Sequence, residues 1–81
     1  MSFLDIKFDD RAVDVHFSKT SVCFVLADGR EISAPLIWFP KLRDANEIDR
    51  KNWRLIGKGI GVHWPSIDED ISINALMKTN S

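Results

Sequence analysis

The stretch SVCFVLADGREISAP, residues 21–35, decides the fold. Val22, Phe24 and Leu26 alternate with Cys23 and Val25. Successive side chains of a strand point to opposite faces. Apolar residues on both faces predict a central strand covered on each side. Asp28-Gly29 is a two-residue turn signal, because glycine accepts a positive φ cheaply. REIS then returns antiparallel, and Pro35 closes it because proline donates nothing to a ladder.

Upstream, AVDVHF (12–17) alternates. Val13, Val15 and Phe17 are expected inside, with Asp14 and His16 toward water. FLDIKF (3–8) reads as a further strand, joined through DDRA (9–12). Downstream, Pro40 fits the first position of a helix, where its missing N–H costs nothing. Leu42, Ala45 and Ile48 make an apolar stripe, with Asn46 breaking the run and a second helical turn over 47–51. Trp38 and Phe39 are expected to staple the helix start. Three glycines in NWRLIGKGIGVHWP (52–65) argue against a helix there. They predict strands at 53–56 and 60–64 around a turn. Ser72 is an N-cap candidate for a closing helix over 72–78, followed by a frayed tail at 79–81. The expected fold is α+β: a small antiparallel meander sheet with two or three short helices on one face, in a single domain of 81 residues.

Composition excludes some functions. The net charge of −1 gives no global attraction to DNA or membrane. One cysteine, Cys23, forms no internal disulfide and suits a reducing cytoplasm. No apolar run is long enough for a signal peptide or a membrane span.

The stretch GVHWPSIDEDIS (61–72) has two readings. His63 with Asp68 and Asp70 offers cation ligands, or a base oriented by an acid. Structurally, Pro65 starts a turn, Trp64 and Ile67 enter the core, and the acids offset a helix N-terminus. Zinc normally takes three or four protein ligands, and two histidines with one cysteine are few. The structural reading is preferred. GKGIG (57–61) lacks the spacing of a phosphate-binding loop, and no serine sits in a G-x-S-x-G elbow. Cys23 reads as inert packing and His16 as a surface histidine. Residues 41–58 carry three more cations than anions, beside Trp38 and Trp53. Arg50 and Lys51 meeting phosphates would make a nucleic-acid surface, but interleaved acids favour a solvated helix face.

From the D-G-R hairpin onward the chain resembles the bacterial family called domain of unknown function 2442. The matching strings are Asp28 to Arg30, a P-L-x-W-F-P-x-L-x-x-A run from Pro35 to Ala45, Arg50 to Trp53, and G-x-G-V-H-W-P-x-I-D-E-D-I-S from Gly59 to Ser72. The resemblance implies a small α+β fold with no established enzymatic activity. It also implies a neighbouring small gene, in an arrangement resembling toxin–antitoxin pairs. A non-enzymatic interaction domain is therefore expected, antitoxin-like, with no cofactor and with a protein partner encoded nearby. Self-association is a further expectation. A metal- or small-ligand-dependent enzyme centred on His63 and Asp70 is the alternative, and a nucleic-acid-binding regulator a third. The partner-contacting candidates are Trp38, Arg43, Arg50, Trp53, His63 and Trp64. Asp28, Gly29, Pro40, Asp68, Asp70 and Ser72 are the candidate structural supports.

Overall fold

The computed structural model describes residues 7–79, with the side chain of Thr79 left aside. Strands β1 (Ala12–Phe17), β2 (Ser21–Leu26) and β3 (Glu31–Pro35) form one antiparallel sheet with β2 in the centre. A 3-10 turn (Leu36–Trp38) leads into the short helices α1 (Pro40–Arg43) and α2 (Glu47–Lys51). Strands β4 (Arg54–Ile56), β5 (Gly61–Trp64) and β6 (Glu69–Ser72) form a second antiparallel sheet, and α3 (Ile73–Thr79) closes the described chain. The class is α+β, with the strands divided between two meanders. Among the described residues, no helix is long and apolar enough to cross a membrane.

The first hairpin has a three-residue loop, not the two-residue turn expected. Leu26 and Arg30 close it, with the Gly29 amide donating to the Leu26 carbonyl at 3.0 Å and Gly29 at φ +94°. This is a tight turn followed by a left-handed residue, which glycine tolerates without a Cβ penalty. The outer face of β2 is less covered than expected: Cys23 and Val25 are half-buried, while Val22, Phe24 and Leu26 are fully packed.

Strand β1 departs from simple alternation. The register shifts between Ala12 and Asp14, so Val13 is an extra, bulged residue. A bulge resets which side chains face inward. Ala12 and Val15 are buried, and Val13 is exposed, contrary to the expected inward face. Of the strand expected over 3–8, residues 3–6 lie outside the described residues, and Lys7 and Phe8 are not in a strand. The tail residues 80 and 81 lie outside them too.

The core forms between the sheets. Val15, Val22, Phe24 and Leu26 meet Val62, Trp64 and Ile71, with Leu42 from α1 and Ile73 and Leu76 from α3. Trp64 is 0% exposed and stands edge-on to Phe17 and Phe24, each at 6.4 Å between ring centroids. Its indole N–H donates to the Arg50 carbonyl at 3.0 Å, so its polar atom is satisfied as well. The β4–β5 turn docks on the start of β1. The Ala12 amide donates to the Gly59 carbonyl at 2.7 Å, and a Cβ at Gly59 would lie 2.4 Å from the Ala12 oxygen. That close approach, with φ at +108°, is why glycine stands there.

The C-terminal acids correct another expectation. Glu69–Ser72 is a strand paired with β5, so Asp70 belongs to a sheet and Asp68 to the turn before it, although a helix follows directly. Asp68 sits in the preceding turn at φ +52°, a conformation that aspartate tolerates better than most residues. The helix begins at Ile73, and Ser72 Oγ accepts from the Ala75 amide at 3.2 Å.

Candidate functional site

The segment 36–53 holds four of the partner-contacting candidates. Pro40 opens α1, and Asn46 Oδ1 accepts from the Asp49 amide at 2.8 Å to open α2. Neither helix is long enough to bury a full stripe. Ile48, expected to extend the apolar stripe, is 79% exposed instead. Ile37 and Trp38 are exposed as well, while Phe39 packs against the core and meets the Trp38 ring edge-on.

Arg50 is fixed from three sides. Its Nε donates to the Leu42 carbonyl at 3.0 Å and its Nη2 to the Arg43 carbonyl at 2.9 Å. Both carbonyls lie at the end of α1, and that of Leu42 also accepts from the Ala45 amide at 3.2 Å. The guanidinium also lies over the Phe17 ring, 5.1 Å from its centroid. Arg50 thus ties α1, α2 and β1 together, and its own carbonyl anchors Trp64. Its engagement is architectural.

Two depressions meet at Arg50. One, of about 410 Å³, has Phe17 and Trp53 in its wall, with Lys19, Glu47, Arg50 and Lys51 around them. The other, of about 390 Å³, is bounded by Thr20, Leu36, Ile37 and Arg43 together with Lys19 and Arg50. Arg43, Arg50 and Trp53 therefore share one continuous surface, with Trp38 next to Ile37 along the chain. Lys19, Ile37 and Lys51 join it, though the sequence reading did not select them as partner contacts. Arg43 is paired with Asp44 at 3.0 Å, a bond that raises the guanidinium pKa and lowers that of the carboxyl.

His63 and Trp64 are not among the residues of either depression. Trp64 is interior and offers no surface. His63 stands across from Asp70 in the second sheet, its Nδ1 hydrogen-bonded to the Asp70 carboxylate. Asp68 takes no part in a three-ligand group with them; its carbonyl instead accepts from Lys41 Nζ at 3.0 Å. Across β4, the residue opposite His63 is Arg54.

Asp28 organises the turn end of the first sheet. It accepts from the Asp9 amide and from Arg30 Nε, each at 2.9 Å, and Arg30 also reaches Asp10. The Arg30 guanidinium first, then the Asp9 amide, holds the Asp28 carboxyl well below the usual range. Asp9 is lowered to about 2, chiefly by its side-chain bond to Arg11.

On the outer face of the first sheet, His16 Nε2 lies 2.9 Å from Glu31 Oε1, and Cys23 Sγ lies 2.9 Å from Ser33 Oγ. His16 is directly opposite Cys23 across β1–β2, and Cys23 is directly opposite Ser33 across β2–β3. In the sequence His16 and Cys23 lie on separate strands, and alternation alone does not join them. Their shared face was the available signal.

Comparison with known families supports this architecture. The model of the family described as Protein of unknown function (DUF2442) matches residues 12–80. The chain belongs to that family. Two solved structures have the DUF2442 chain's fold. One is a crystal structure of a protein of unknown function from Rhodospirillum rubrum, with TM-score 0.71 and 25% identity over 85% of this chain and 86% of that one. The other is a solution structure of an uncharacterized protein from Chromobacterium violaceum, with TM-score 0.70 and 20% identity. That match covers 84% of this chain and 64% of the other, so the DUF2442 chain spans just under two thirds of it. No curated protein matches the chain.

Proposed function

We propose that this DUF2442 domain is a protein-interaction module whose docking surface is the paired depression around Arg50. The observation that carries the reading is the chemistry of that surface. Exposed Ile37 and the partly buried Trp53 lie with Lys19, Arg43, Arg50 and Lys51, beside Glu47; exposed Trp38 follows Ile37 in the chain, and Asp44 is bonded to Arg43. Aromatic and arginine side chains are enriched where partner contacts carry binding energy. The occupant that fits is an acidic protein segment with apolar anchors. Its carboxylates would meet the lysines, and its anchors would cover Ile37 and the Trp53 wall. Nucleic acid fits less well, because Glu47 lines one depression and Asp44 already pairs with Arg43, which dilutes the positive charge phosphates would seek. The family resemblance adds a partner class: the product of an adjacent small gene, as in an antitoxin-like pair.

The test is capture of partners from the native host, followed by titration with each purified partner. An acidic partner bound directly is expected, weakened at least tenfold by Ile37→Asp and by Lys19→Glu with Lys51→Glu. Binding that is indifferent to these changes, or recovery of nucleic acid alone, would overturn the reading.

A further inference from the structure

We propose that the outer face of the first sheet binds a divalent transition-metal ion, zinc-like in its preferences, through His16, Cys23 and Glu31. These residues come from three adjacent strands, β1, β2 and β3. One ligand atom from each, an imidazole nitrogen, a thiol sulfur and a carboxylate oxygen, lies within 4.8 Å of the other two. Zinc bond lengths in a tetrahedron place neighbouring ligand atoms about 3.3–3.6 Å apart. The His16–Glu31 separation of 2.9 Å must open slightly, and the others need close by little more than an ångström. Side-chain rotation suffices, because His16 and Glu31 are 52% and 54% exposed and unconstrained by core packing.

The donor set selects the ion. A thiolate with an imidazole favours zinc and its soft or borderline neighbours over magnesium or calcium, which take oxygen cages. Thiolate and carboxylate together balance the charge of a divalent cation. Ser33 Oγ is placed to donate to the thiolate, the kind of outer hydrogen bond that orients a metal ligand. The fourth coordination position faces solvent and takes water. Loading would clip all three strands together.

The test uses the full, tag-free chain in its reduced form, titrated with cobalt(II) and then zinc. Expected are one cobalt per chain and a thiolate-to-cobalt charge-transfer band in the near ultraviolet, with both the band and the cobalt lost on displacement by zinc. Saturating zinc should raise the Tm by about 5 °C or more. Cys23→Ser should abolish the charge-transfer band, and His16→Ala and Glu31→Gln should each weaken binding at least tenfold. Metal-free circular dichroism of each variant confirms that it is folded. If Cys23→Ser does not fold, the His16→Ala and Glu31→Gln affinities decide. Absence of the band in the wild-type chain, or unchanged affinity in the folded variants, would overturn the proposal.

Discussion

Each sheet of this molecule carries a row of three residues across its strands, with a histidine in both. In the first sheet the row is His16, Cys23 and Ser33, with Glu31 bonded to the imidazole. In the second it is Arg54, His63 and Asp70. Both imidazoles meet a carboxylate. The difference lies in the third partner. A thiol beside the first pair adds a metal ligand. Beside the second pair the neighbouring strand carries Arg54, which is no metal ligand. The placement differs as well: His16 lies on an edge strand and reaches Glu31 past β2, whereas His63 lies on the central strand directly opposite Asp70.

The largest expected effect concerns what joins the two sheets. Trp64→Ala should cost about 3–5 kcal/mol in urea unfolding, because it empties the contact between β5 and the aromatic face of the first sheet. A loss below about 1 kcal/mol would mean that each sheet stands by itself. Next comes a conversion of one row into the other. Arg54→Cys in a Cys23→Ser background places a thiol across from His63, on the opposite side of it from Asp70. It should bind cobalt at least tenfold more tightly than the Cys23→Ser parent, with a thiolate band; equal affinity would show that the third residue is not what separates the rows. Ser72→Ala should cost about 1 kcal/mol through the lost helix cap. Asp68→Gly should stay within about 0.5 kcal/mol, since that residue starts no helix and glycine accepts its φ. A reversed order in thermal melts would return the acids to a helix-start role.

Acid should separate the sheets more gently. Asp9 and Asp28, at the turn end of the first sheet, have folded-state pKa values below the unfolded carboxylate value of about 4. The unfolded chain binds more protons than the native one in that window, so stability rises with pH through it. The contribution is complete above about pH 4 and is lost as pH falls through about 2 for Asp9 and lower still for Asp28. Melting temperature followed from pH 5 to pH 2 should fall less steeply in Asp28→Asn than in the wild-type chain. Parallel slopes would remove the Arg30–Asp28 bond from the account.

What was legible follows from how far each signal reaches. Asp28-Gly29, Pro40, Asn46 and Ser72 act on backbone within a few residues, so turn, helix starts and cap were readable in place. The bulge at Val13 was not, because it depends on how β1 meets β2 and on the Gly59 turn held against Ala12. DEDIS reads as acids set just before a helix; the helix does follow at Ile73, but pairing with β5, which depends on a distant strand, makes these residues a strand first. The surface around Arg50 was half legible. Arg43, Arg50 and Trp53 were selected, but Arg50 spends its donors on carbonyls of α1, and Lys19 arrives from a distant turn. The first histidine row was hidden for the same reason: its members are adjacent only once three strands align. HWPSIDED drew attention because its histidine and acids are neighbours in sequence, which is the weaker kind of proximity.

The contrast between the two rows is tested most directly by zinc titration of the isotopically labelled chain, watching histidine ring nitrogens and the Cys23 Cβ by NMR. The His16 ring and Cys23 should move to metal-bound shifts by one equivalent of zinc while the His63 ring stays in place. Movement of His63 first, or stationary His16 and Cys23 signals, would contradict it.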